Sequence, residues 1–80
     1  MNGLRVYIKA DAVETSAGWP VFYCRREDGP YYRWSYDDSL SAWHVGRVLT
    51  SGVLPKALTA TSWKGIPARL QRSIVEHYED

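Results

Sequence analysis

Residues 20–49, PVFYCRREDGPYYRWSYDDSLSAWHVGRVL, constrain the fold more than any other part of the chain, because they read as two successive β-hairpins. Residues 21–26 and 31–36 are rich in aromatic and β-branched types, which suit a pleated, half-buried surface. Between them Glu27-Asp28-Gly29-Pro30 forms a turn, in which Gly29 tolerates a positive φ and Pro30 cannot donate to the ladder. A loop of these four residues sets Arg26 opposite Tyr31, Arg25 opposite Tyr32, Tyr23 opposite Trp34 and Val21 opposite Tyr36. Alternation then predicts a core face of Val21, Tyr23, Arg25, Tyr32, Trp34 and Tyr36. Phe22, Cys24, Arg26, Tyr31, Arg33 and Ser35 fall on the other side.

A second turn over residues 37–40 leads into a strand over 43–49. Pairing Tyr36 with Trp43 puts Val45 against Trp34 and Arg47 against Tyr32. Trp43, Val45 and Leu49 thereby join the core face, which favours this register over a one-residue slip.

The flanking segments supply the rest of the fold. Leu4, Val6, Ile8 and Ala10 alternate with Arg5, Tyr7 and Lys9, the pattern of a half-buried strand. Residues 11–18 break that alternation and read as a loop, and Pro20 suits a strand start. Residues 51–55 form a further break, and 56–61 (KALTAT) a short strand. Residues 62–65 read as a connecting turn with Trp63 beneath the helix that follows. Over 67–78 the spacing predicts that helix: Pro67 suits the first helical position, while Ile66, Leu70, Ile74 and Tyr78 repeat every four residues and Val75 widens the stripe. That stripe needs a partner, and the aromatic sheet face offers one. The expected fold is α+β: a single domain over residues 1–80, a small twisted antiparallel β-meander of four to five strands with one C-terminal helix packed on the sheet. An SH3-like, partly closed barrel is the alternative.

Composition narrows the class. In 80 residues one sheet face and one helix must supply the core, and an aromatic content of 14% makes this feasible. A single cysteine, Cys24, allows neither an intramolecular disulfide nor a thiolate cluster, which points to a reducing compartment. The N-terminus MNGLRVYIKA holds no long apolar run, so neither a signal peptide nor a membrane span is expected, and the chain is placed in the cytoplasm, as a monomer or homodimer. The net charge of +1 argues against a dedicated duplex binder. Between Ser39 and Val75, however, there is no acidic residue, while Arg47, Lys56, Lys64, Arg69 and Arg72 fall in that span, which predicts one basic side.

Two residue sets stand out as binding candidates. Arg25, Tyr32 and Arg47 are expected side by side, with two guanidinium groups flanking a phenol and able to grip a phosphate or carboxylate. The plainer reading makes Tyr32 core and the arginines its snorkelling rim. Arg26, Tyr31, Arg33 and His44 are expected on the opposite face, around Phe22 and Cys24, where nothing in the sequence covers them. Aromatics and Arg are enriched at protein interfaces; the plainer reading is an exposed antiparallel sheet.

No catalytic residues, metal ligands or cofactor motif emerge. Cys24 and His44 share the second face on this reading but lack a third group. The paired acids Glu27-Asp28 and Asp37-Asp38 sit in turns, where they serve turn geometry. His44 and His77 are too few for a metal site. The tail TSWKGIPARLQRSIVEHYED resembles the ends of short bacterial reading frames, a likeness that implies no activity. The expectation is therefore a small non-enzymatic binding module, an accessory or regulatory protein that docks on another protein through an aromatic, Arg-rich sheet surface. An RNA or single-stranded nucleic-acid binder using Arg25, Tyr32, Arg33 and Arg47 is the alternative, and a small metal-independent ribonuclease the third reading.

Overall fold

The computed structural model describes residues 3–13, 18–49 and 58–79. Five strands, β1 (Leu4–Val13), β2 (Pro20–Arg26), β3 (Tyr32–Asp37), β4 (Ala42–Arg47) and β5 (Leu58–Thr61), are followed by a 3₁₀ turn (Trp63–Gly65) and the helix α1 (Ala68–Tyr78). All pairings are antiparallel, in the order β4-β3-β2-β1-β5. Strands β1 to β4 form a meander, and β5 adds to the free side of β1. Because β4 and β5 lie at opposite edges, the sheet is open, and the barrel alternative is excluded. The fold is α+β, as the hydrophobic patterning predicts.

Pattern and outcome agree at both ends of the chain. Leu4, Val6 and Ile8 point to the helix side, where Val6 is buried. On α1, Leu70 and Ile74 are fully buried and Tyr78 packs beside them. Removing two such aliphatic side chains from water contributes about 1.5–3 kcal/mol each. Pro67 sits just outside the helix as its N-cap rather than in its first turn, and its carbonyl accepts the first helical bond from the Gln71 amide at 3.0 Å. The Gln71 side-chain amide donates to the Trp63 carbonyl at 2.8 Å, which fastens the 3₁₀ turn to the helix.

Strand β1 runs further than its alternation suggests. The ladder continues past Ala10 to Val13, which pairs with Pro20 after a register irregularity between Lys9 and Val13. The break expected over 51–55, and Lys56 with Ala57, lie outside the described residues.

The second hairpin has the expected register: Tyr36 faces Trp43, Trp34 faces Val45 and Tyr32 faces Arg47. The first does not. Phe22 faces Trp34, Tyr23 faces Arg33 and Cys24 faces Tyr32, one residue from the expected pairing. The cause lies in the turn. There the Gly29 amide donates to the Arg26 carbonyl at 2.8 Å, so the chain turns back within the expected four-residue loop. Glu27 takes the left-handed conformation at φ 51°, and β3 begins at Tyr32, with Cys24↔Tyr32 the last pair before the turn.

That one-residue shift turns β2 over. Phe22 and Cys24, expected on the uncovered side, lie in the core with Val6, Trp34, Ile66, Leu70 and Ile74. Val21 and Tyr23, expected beneath the helix, lie on the far side. Yet at 0% and 5% exposure they too are shut off from solvent. Leu49, expected in the core, is exposed.

Candidate functional site

The turned strand exchanges Arg25 and Arg26 between the two expected clusters. Tyr32 keeps Arg47 as its neighbour on β4, but across β2 it meets Cys24 instead of Arg25. Arg26, not Arg25, shares the helix side with Tyr32 and Arg47. The trio of Arg25, Tyr32 and Arg47 therefore does not assemble.

Tyr32 is part of the packed interior rather than a free platform. Its ring meets His77 edge-on at 4.4 Å between centroids and Tyr78 at 6.1 Å, both from the last turn of α1. Beneath them the Trp34 indole Nε1 donates to Cys24 Sγ at 3.1 Å, and the Tyr78 hydroxyl lies 3.6 Å from the same sulfur. Burial pushes the Cys24 thiol above its ordinary pKa, against the hydrogen bonds from Tyr78 and Trp34. It likewise pushes the Tyr78 phenol up. A buried thiol held protonated is an inert packing group. His44 stands exposed on the opposite side, so Cys24 and His44 do not come together.

The far side of the sheet gathers a different set. Here Arg25 joins Tyr31, Arg33 and His44, and β1 adds Arg5 and Tyr7, which sequence reasoning left out. The signal for these two was present: Arg5 and Tyr7 are the polar half of the β1 alternation, and a neighbour on β2 makes them part of a surface. The Arg25 guanidinium lies 5.0 Å over the Tyr31 ring, and Tyr7 approaches Tyr31 at 6.1 Å. The ring quadrupole attracts the guanidinium, and water screens the contact.

Three groups fix the direction of Arg25. Its Nε donates to the Glu27 carbonyl at 2.9 Å, its Nη2 lies 3.6 Å from Asp28 Oδ1, and its plane rests on Tyr31. Directly across the ladder stands Arg5, a like charge on the same side. Facing guanidinium groups repel unless an anion lies between or beside them. A cleft of about 260 Å³ opens there, lined by Gly3, Arg5, Arg25, Glu27 and Asp28. Further in, Val21 and Tyr23 are closed to solvent, so the accessible part of this side is the end near the β2–β3 turn. There Arg5 is exposed and Arg25, Tyr31 and Arg33 are half-buried, while His44 stands exposed further toward the other end, opposite Ser35.

The basic groups thus collect at one end of the strands. Arg5, Arg25 and Arg33 lie on one side, and Arg26 and Arg47 on the other. The opposite end holds Trp19, Tyr36 and Trp43. Of the cations from which a basic side is expected, Arg47 sits at the arginine end of the sheet on its helix side, Lys64 in the 3₁₀ turn, and Arg69 and Arg72 on the helix, while Lys56 lies outside the described residues. Asp37 behaves as its turn position implies. Its Oδ1 accepts from the Ser39 hydroxyl at 2.6 Å and the Ser39 amide at 2.9 Å, bonds that hold its pKa below the ordinary carboxylate value. Among the described residues no three His, Cys, Asp or Glu side chains gather as metal ligands, and no helix is long and apolar enough to cross a membrane.

No protein-family model, no curated protein and no solved structure matches this chain.

Proposed function

We propose that the chain is a non-enzymatic binding module that docks on an acidic patch of another protein through Arg5, Arg25, Tyr31, Arg33 and His44, in the reducing interior of the cell. The reading rests on one observation: a guanidinium held over Tyr31 by its own turn, with a second guanidinium paired across from it. A pre-oriented Arg on an aromatic ring binds carboxylates with little loss of side-chain freedom. The buried thiol and the separation of Cys24 from His44 leave this surface as the better-built feature. A tagged chain, incubated with nuclease-treated lysate of its host, should retain a partner at moderate salt. The paired variant Arg25→Ala, Tyr31→Ala should lose that partner while keeping its fold. Equal retention by both forms overturns the reading.

A second reading, single-stranded nucleic acid, is favoured by the five arginines at one end of the sheet. It predicts retention on heparin that falls steeply with salt and that weakens on removal of Arg26 or Arg47 as much as of Arg25.

A further inference from the structure

Strand β4 is an edge of the sheet, and its register shows which backbone groups it turns outward. The Val48 amide donates to the Tyr31 carbonyl at 2.9 Å, one position beyond the Tyr32–Arg47 pair. In an antiparallel ladder, hydrogen-bonded pairs alternate with non-bonded ones. The amides and carbonyls of Ala42, His44, Gly46 and Val48 therefore turn toward β3, and those of Trp43, Val45 and Arg47 turn past the edge. Among the described residues no strand lies beyond β4.

An edge of this kind is ordinarily blunted by Pro, Lys or a bulge. The strand reads AWHVGR, with neither Pro nor Lys, and its register with β3 runs unbroken from Asp37–Ala42 to Tyr32–Arg47. The opposite edge, β5, is shorter, with four residues against six in β4. Exposed apolar side chains flank β4 at both ends. Leu40 before it is 68% exposed, and Leu49 after it 76%.

Any extended chain satisfies outward backbone groups, so the side chains select the occupant, and β4 is its own complement. An antiparallel register centred on Val45 sets Trp43 of one copy opposite Arg47 of the other, and His44 opposite Gly46. This register pairs all three outward-facing residues within the strand, and each such pair exchanges two backbone bonds. It sets no like charges face to face. Arg47 meets an indole, whose ring attracts a guanidinium. His44 meets a glycine beside which a Cβ would find nothing within 4 Å. The same arrangement lays Leu49 beside Leu40 of the other copy, and brings the Arg47 end of one strand to the Asp37-Asp38 turn of the other. We propose that β4 pairs antiparallel with β4 of a second copy of this chain, about Val45, so that one sheet runs through both copies with both helices on the same side.

Sedimentation velocity of the full chain, from about 5 µM to about 0.5 mM, should show a reversible monomer–dimer equilibrium in the micromolar range. Over that range the amide protons of Trp43, Val45 and Arg47 should become protected from hydrogen exchange in NMR spectra, while those of His44 and Gly46 are protected throughout. Leu40→Lys combined with Leu49→Lys, at two sites too exposed to disturb the fold, should weaken dimerisation about tenfold, and Leu40→Lys combined with Leu49→Glu should restore it. A chain that stays monomeric at about 0.5 mM, a dimer that leaves the Trp43, Val45 and Arg47 amides unprotected, or equal dimerisation of the two double variants overturns the proposal.

Discussion

The Trp34 indole donates its N–H to the sulfur of Cys24, 3.1 Å away, on the neighbouring strand beneath the helix. Both residues are almost fully enclosed, and the Tyr78 hydroxyl reaches the same sulfur from the helix. One atom therefore joins β2, β3 and α1. Cys24→Ala strips the buried Trp34 N–H and the half-buried Tyr78 hydroxyl of their partner and should cost about 2–3 kcal/mol in urea unfolding, with the m-value unchanged. An effect within about 0.5 kcal/mol would mean that the sulfur contact contributes nothing.

The same thiol makes stability depend on alkaline pH. Its folded pKa is raised above the ordinary 9.0, chiefly by burial. Below pH 9 the proton is held in both states and the contribution is complete. As pH rises further, the unfolded thiol ionises while the folded one does not, so stability falls. The Tyr78 phenol, raised from 10.0, adds to the decline above pH 10. The melting temperature should drop from about pH 9 upward, and in Cys24→Ala the onset should move to about pH 10. Calorimetry across this range checks both.

Tyr31 and Tyr32 are neighbours in sequence with opposite duties. Tyr32 packs on His77 and Tyr78, so Tyr32→Ala should cost about 2 kcal/mol. Tyr31 carries the Arg25 guanidinium on the far side, and Tyr31→Ala should cost less than about 1 kcal/mol. Trp34→Ala should exceed both, at about 3–5 kcal/mol. Chemical denaturation of the three variants ranks them, and a larger loss for Tyr31 than for Tyr32 would refute the assignment of faces.

Two glycines separate a tight backbone approach from open space. A Cβ on Gly29 would stand 2.9 Å from the Arg26 carbonyl oxygen, the atom on which the turn closes. Gly29→Ala should therefore cost about 1–3 kcal/mol. At Gly46 a Cβ meets nothing within 4 Å, and alanine there should be neutral or stabilise by about 0.5 kcal/mol. Thermal melts of the two variants, run together, decide the point.

The parts of the fold legible in the sequence are those where only one arrangement buries the apolar residues. Leu70 and Ile74 allow one helix face, and Trp34, Val45 and Trp43 allow one register for the second hairpin. The first hairpin gave no such leverage. Val21, Phe22, Tyr23 and Cys24 are all buried, so either register satisfies the hydrophobic pattern. The choice passes to the turn, where the Gly29 amide closes on the Arg26 carbonyl. The candidate site inherited that ambiguity: Tyr31, Arg33 and His44 were placed together, whereas Arg25 and Arg26 were exchanged. Trp19 precedes the strand, and its neighbours Tyr36, Trp43 and Arg69 are brought to it only by tertiary packing, which no local pattern shows.

The turn between Arg26 and Tyr32 also bears on how such a chain can evolve. One residue more there moves the β2–β3 register by one and exchanges the sides on which Arg25 and Arg26 stand. Chains that differ by a single residue in this turn should therefore present a different cation beside Tyr31, even where their strand sequences are the same.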